Sequence, residues 1–252
     1  MTTAAVPMFS PREASDRNFF LLILAGIWGG VIAGFVPDSL DHFTGKHVAY
    51  APIVHVHAIS YVAWLALLTT QMSLIRAGNV ALHKRLGILG LVMIVWMTII
   101  GPWTSVIMGG LELGTPDGDA PFLILPILSV VSFAAVSFTG LALRANAVVH
   151  KRLMLIGTIV LSDAGFGRWI GPNLGPFLGG MFGRGFVSFF VPHFIGAIIL
   201  MAAILAHDLA TRRRVHPAVG AAILFVVTMQ VLTTAIYGLP AWTPIASHLL
   251  GH

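Results

Sequence analysis

The sequence predicts an all-α fold: a polytopic membrane helix bundle of about seven transmembrane helices, N-terminus inside and C-terminus outside, built from tandem helical hairpins. Three observations predict it. Of the 252 residues, 57% are hydrophobic and only 9% charged, where a soluble domain carries about a quarter charged residues. Seven apolar runs reach the roughly 20 residues a helix needs to cross a hydrocarbon core. Lysine and arginine gather at alternate junctions between those runs, the pattern of loops retained on the cytoplasmic side. Strict alternation of polar and apolar residues is missing, which excludes a membrane β-barrel and leaves helices.

Taken in order, the runs lie near 18–36, 52–75, 86–108, 121–143, 153–170, 186–206 and 217–238. A tail over 1–17 precedes them, and a tail over 239–252 follows. The first run is long, starts late and lacks a small-x-small cleavage site, so a cleaved signal peptide is not expected. The second carries His55 and His57, which point about 200° apart on a helix, so only one faces inward; His57 is the deeper. The fifth carries Asp163 and Arg168, five residues apart and on different flanks, so Asp163 needs a partner from another helix. Between the fifth and sixth runs, Gly171–Gly180 is rich in glycine and proline and reads as a lid or connector. In the sixth, Pro192 removes a backbone donor just before His193, which favours a kink beside a site. The seventh holds Thr228, Gln230, Thr233 and Thr234. The six tryptophans read largely as interfacial belts, and the methionines as packing.

Eleven of the fourteen basic residues fall on the N-terminal side of the expected bilayer, whereas Asp38, Asp41, Glu112, Asp117 and Asp119 collect on the other. The formal charge of +5 is thus spread over short loops that meet lipid headgroups. Nucleic acid is not an expected partner; the lipid bilayer is, in a bacterial inner membrane. There is no cysteine, which removes disulfides, thiol nucleophiles and Cys-ligated zinc or iron–sulfur sites.

An internal repeat runs through the middle of the chain. Asn79-Val-Ala-Leu-His83-Lys84-Arg85-Leu86, with Gly90 after it, recurs 67 residues on as Asn146-Ala-Val-Val-His150-Lys151-Arg152-Leu153, with Gly157 after it. A weaker third copy centres on His216. Each copy marks a helical hairpin. His83, His150 and His216 read as interfacial groups that bind lipid phosphate or cap backbone, functional only if the hairpins bring them together.

Polar side chains in the apolar interior are the more informative class, because each costs several kcal/mol unless paired. His57, Asp163 and His193 sit roughly 8–10 Å below the outer face at about 1.5 Å per residue. The plain alternative is that Asp163 and one histidine form a packing hydrogen bond.

The two hairpins with Leu82-His83-Lys84-Arg85-Leu86-Gly87 and His150-Lys151-Arg152-Leu153 resemble a group of uncharacterised bacterial inner-membrane proteins with repeated Leu-His-Lys/Arg-Arg-Leu-Gly hairpins. That likeness implies membership and no activity. Histidines on neighbouring helices are loosely similar to b561-type cytochromes, which implies haem ligation by histidine. Seven spans with an internal N-terminus also resemble ceramidase and progestin-receptor-like membrane hydrolases, although the His-x-x-x-His pair of their last span is missing here.

The function these residues lead us to expect is an integral membrane redox protein binding b-type haem. His57 and His193 are the axial ligands, Arg168 lies near the propionates, Asp163 is the candidate catalytic residue, and a quinone is the electron partner. The alternative is a metal-dependent membrane hydrolase, with zinc or iron on His57, His193 and Asp163. A second alternative is a transporter or a non-catalytic subunit of a larger membrane complex.

Overall fold

The computed structural model describes residues 14–252. Its elements are α1 (Ala14–Phe43), α2 (Pro52–Arg76), α3 (Val80–Glu112), a 3-10 turn (Ala120–Leu123), α4 (Ile124–Ala142), α5 (Ala147–Phe182), α6 (Phe186–Arg212), α7 (Pro217–Tyr237) and α8 (Trp242–Leu249). Seven of these are long and apolar enough to cross a membrane. Large apolar side chains such as Leu22, Ile59, Ile88 and Leu224 point outward, each at least two-thirds exposed, where lipid and not water is their matching solvent.

The helix starts follow from short local signals. Asn79 and Asn146, the first residues of the two repeat copies, are N-caps: Asn79 accepts from the Leu82 N–H, and Asn146 from those of Val148 and Val149. The repeat therefore encodes a capped helix entry. His216 does the same for α7, accepting from the Ala218 N–H ahead of Pro217 at the first helical position, where a missing N–H costs nothing.

Several helices run past their expected ends. The fifth begins at Ala147, so His150, Lys151 and Arg152 are helical instead of lying in a loop. It also continues through Pro172 and Pro176 to Phe182, so the expected lid over Gly171–Gly180 is helix. The physical reason is that neighbouring helices and flanking carbonyls tolerate proline in membrane helices. The tail after Leu239 folds back as α8, with Ala246 and Leu250 buried against Ala120 and Leu123. Of the expected N-terminal tail, 1–13 lies outside the described residues and 14–17 already belongs to α1.

α5 is the axis of the bundle. It packs most heavily on α6, then α4 and α1, and also meets α7, and it is the most buried of the spans. The others follow round it as α1, α2, α3, α4, α7 and α6. Close approach to α1 depends on glycine at both sides: a methyl at Gly34 would overlap the Gly165 carbonyl, and one at Gly165 the backbone of Gly30 and Val31, the small-residue contact of membrane helices. Three tryptophans expected in part as interfacial belts instead tie helices together. Trp64 donates to Thr158 Oγ1 at 3.2 Å, Trp96 to Ser60 Oγ at 2.8 Å and Trp28 to Thr69 Oγ1 at 3.2 Å.

Candidate functional site

The half of the bundle near the α1–α2 loop, the acidic end, holds the sequence-derived candidates around α5. Asp163 is 3% exposed. The partner it needs from another helix is Gln230 of α7, whose Nε2 donates to Asp163 Oδ2 at 3.0 Å. Asp163 Oδ1 and Gln230 Oε1 are buried with no hydrogen-bond partner among the described residues.

His57 stacks on Tyr61 one turn below it, ring centroids 4.2 Å apart, and its ring also meets the Ile100 backbone of α3; its Nδ1 is buried with no hydrogen-bond partner among the described residues. Tyr61 in turn reaches α3, its hydroxyl lying against Gly101. His193 is on α6, against α5. Its Nδ1 is held by the Phe189 carbonyl at 2.6 Å, its ring stacks on Phe189 at 4.2 Å and is flanked by Phe122 at 5.7 Å, and its Cδ2 edge lies against Gly167 of α5. No ring contact joins His57 to His193. Among the described residues no three His, Asp or Glu side chains gather as a metal cradle, so His57, His193 and Asp163 are not one ligand set here. The reason is angular: Asp163 turns to α7, His57 leans along α2 towards α3, and His193 packs on α5.

Arg168 does sit at the acidic rim, on a flank different from that of Asp163. Its Nε donates to Asp38 Oδ2 at 3.2 Å and its Nη1 to the Ala164 carbonyl at 3.1 Å, and the guanidinium lies over Phe35. Asp38 also accepts from the Tyr50 hydroxyl at 3.0 Å; burial first, then this carboxylate, push that hydroxyl up to about 12. His42 stacks on Tyr50, and His55 meets it edge-on, so His55 belongs to this rim. A further link, His47 Nδ1 to Asp117 at 3.1 Å, ties the first loop to the third.

At the opposite, basic end lies a cluster that the sequence reading missed. Arg152 and Asp208 are fully buried, and Asp16 and Arg212 nearly so. Arg152 Nη2 donates to Asp208 Oδ1 at 2.7 Å, Arg212 Nη2 to Asp16 Oδ1 at 2.6 Å, and Lys151 and His207 also bond Asp16. These charges pin α1, α5 and α6 together. The usable signal was Asp208, a carboxylate at the basic end with Arg212 four residues on, the spacing of a helical ion pair. Counting basic residues as loop charges hid it.

Of the three repeat histidines, His216 is the cap its pattern suggested, and its imidazole titrates below its usual range because it is partly desolvated. His83 and His150, however, are brought together: their ring centroids are 6.3 Å apart.

No family model matches the chain, and no curated protein or solved structure is significantly similar to it.

Proposed function

We propose that this chain is an integral membrane redox protein that holds b-type haem through histidines of the bundle. The observation that carries the reading is the state of His193. Its Nδ1 is engaged by the Phe189 carbonyl, which fixes the ring and leaves Nε2 as the lone-pair nitrogen, the usual preparation of a histidine that ligates a metal. Phe189 and Phe122 clasp the ring and keep water away. His57 supports the reading with a ring held between Tyr61 and the Ile100 backbone of α3. Arg168, pinned by Asp38, offers a positive charge at the acidic rim for carboxylates such as propionates. When bound, haem supplies one-electron chemistry; the chain supplies ligands, orientation and exclusion of water.

The test is optical. Detergent-purified protein is expected to show a reduced-minus-oxidised haem spectrum, weakened by His57→Ala and by His193→Ala. A folded, colourless preparation overturns the reading.

A second reading is favoured by Asp163, a buried carboxyl whose Oδ1 lacks a partner. Intramembrane carboxyls of this kind serve proton relays, which suits a proton-coupled transporter or proton uptake linked to a quinone. Proton flux in proteoliposomes that Asp163→Asn abolishes, from protein without haem, would favour it. The hydrolase alternative lacks comparable support, since no three-residue cradle exists among the described residues.

A further inference from the structure

The geometry points to a proton-binding site between α5 and α7, in which Asp163 is held as a neutral carboxylic acid whose proton is shared with the amide oxygen of Gln230. This inference rests on the second reading above, in which Asp163 handles protons, and it names the atoms that hold one.

Hydrogen-bond bookkeeping is the first argument. Asp163 and Gln230 are 3% and 4% exposed, and the two planar groups already meet through one arm, Gln230 Nε2 donating to Asp163 Oδ2 at 3.0 Å. The other arm of each, Asp163 Oδ1 and Gln230 Oε1, is buried with no hydrogen-bond partner among the described residues. A carboxylate oxygen and an amide oxygen both accept and neither donates, so these two cannot satisfy each other. One proton on Oδ1 changes that. The acid O–H then donates to Oε1 while Nε2 donates to Oδ2, and two hydrogen bonds close a ring between acid and amide. A single proton thus accounts for two buried atoms that are costly to leave unpaired.

The second argument is that nearby donors are committed. Ser162 donates to the Ile159 carbonyl, Thr233 to that of Met229 and Thr234 to that of Gln230, each within its own helix. None of these hydroxyls turns its proton to the pair.

Charge is the third argument. The other carboxylates of the buried interior, Asp16 and Asp208, each face guanidiniums, whereas Asp163 is met by an amide. The cations of α5 and α6 are engaged elsewhere: Lys151, Arg152, His207 and Arg212 with Asp16 or Asp208, and Arg168 with Asp38. His193 is held by the Phe189 carbonyl. The titratable groups of α1 lie at its two ends, and α4 and α7 carry no charged side chain. An ionised carboxylate without a counter-charge is far more costly in such a place than a neutral acid.

The test is infrared spectroscopy of the full-length protein in lipid at neutral pH. The difference between wild type and Asp163→Asn is expected to contain the C=O stretch of a protonated, hydrogen-bonded carboxyl. Asp163→Asn keeps the shape, and its amide donates to Oε1 in place of the acid, so the fold is retained. Gln230→Met is expected to raise the band to the frequency of a free acid. Should Gln230→Met fail to fold, the wild-type band itself decides, low for a bonded acid and high for a free one. Carboxylate stretches in place of the acid band, a free-acid band in the wild type, or loss of the band on adding sodium ions overturns the inference. Carboxylate stretches together with proton flux that Asp163→Asn abolishes would overturn this site and leave the second reading standing. The bonded-acid band without any proton flux would support the site and overturn that reading.

Discussion

Arg152 is the residue whose environment least resembles its sequence context. It follows His150-Lys151 at the start of a span, where a cation normally reaches for lipid phosphate, yet it is fully buried and bonded to Asp208. Desolvated ions tolerate such a place only when paired and hydrogen-bonded. Asp208 serves two guanidiniums, those of Arg152 and Arg212, so its removal leaves Arg152, Arg212 and Lys151 to share Asp16. Asp208→Ala should therefore destabilise the protein by about 3–5 kcal/mol, the range for breaking a buried pair. Thermal unfolding in detergent measures it, with the double variant Arg152→Met/Asp208→Leu expected to recover much of the loss. An unchanged midpoint in Asp208→Ala would show that the cluster is not mechanically important. Asp163 contrasts with it: among the described residues this buried carboxyl is bonded by a neutral amide, that of Gln230.

Among the elements, α5 decides most. It carries Lys151 and Arg152 at one end, Thr158 and Asp163 in the middle and Arg168 at the other, and it touches nearly every other span. Its fit against α1 is limited by backbone, because Gly34 and Gly165 leave no room for a side chain. Gly34→Leu should force the helices apart and cost about 1–3 kcal/mol or more, the usual penalty of overpacking. Gly29→Leu is the control, since nothing lies within 4 Å of that position and the new side chain enters lipid. Equal thermal stability of the two variants would refute the close crossing. The basis of both expectations is that membrane helices associate through contact and not through expulsion of water.

For the molecule as a whole, the two ends differ in chemistry. One end is rich in cations with a buried ion cluster; the other is a rim of Asp38, Arg168, Tyr50, His42 and His47 joined by hydrogen bonds and stacking. Positive charge is retained in the cytoplasm, so the basic end should face inward. A chain without cysteine makes this direct to test by single-site labelling in intact bacteria. Pro116→Cys and His252→Cys should react with a membrane-impermeant maleimide, and Ala77→Cys only after lysis. The reverse pattern would invert the orientation.

The sequence by itself determined the helix bundle, its seven apolar spans and the hairpin repeat, because length, hydropathy and capping asparagines are local properties of the chain. It also picked out Asp163 as a buried group in need of a partner on another helix, a consequence of the cost of a lone carboxyl in hydrocarbon. It placed Arg168 at the acidic rim, on a flank away from that carboxyl. Tertiary structure decided which side chains meet. Counting along the helices puts His57 and His193 at one depth, yet such a count says nothing of the angle at which each helix is turned about α5. The same ambiguity concealed that Arg152 turns inward to Asp208 and that His83 faces His150. Rotation and neighbour order are set by packing summed over the whole bundle, above all by the close passage of Gly34 and Gly165, and no single segment of sequence contains that information.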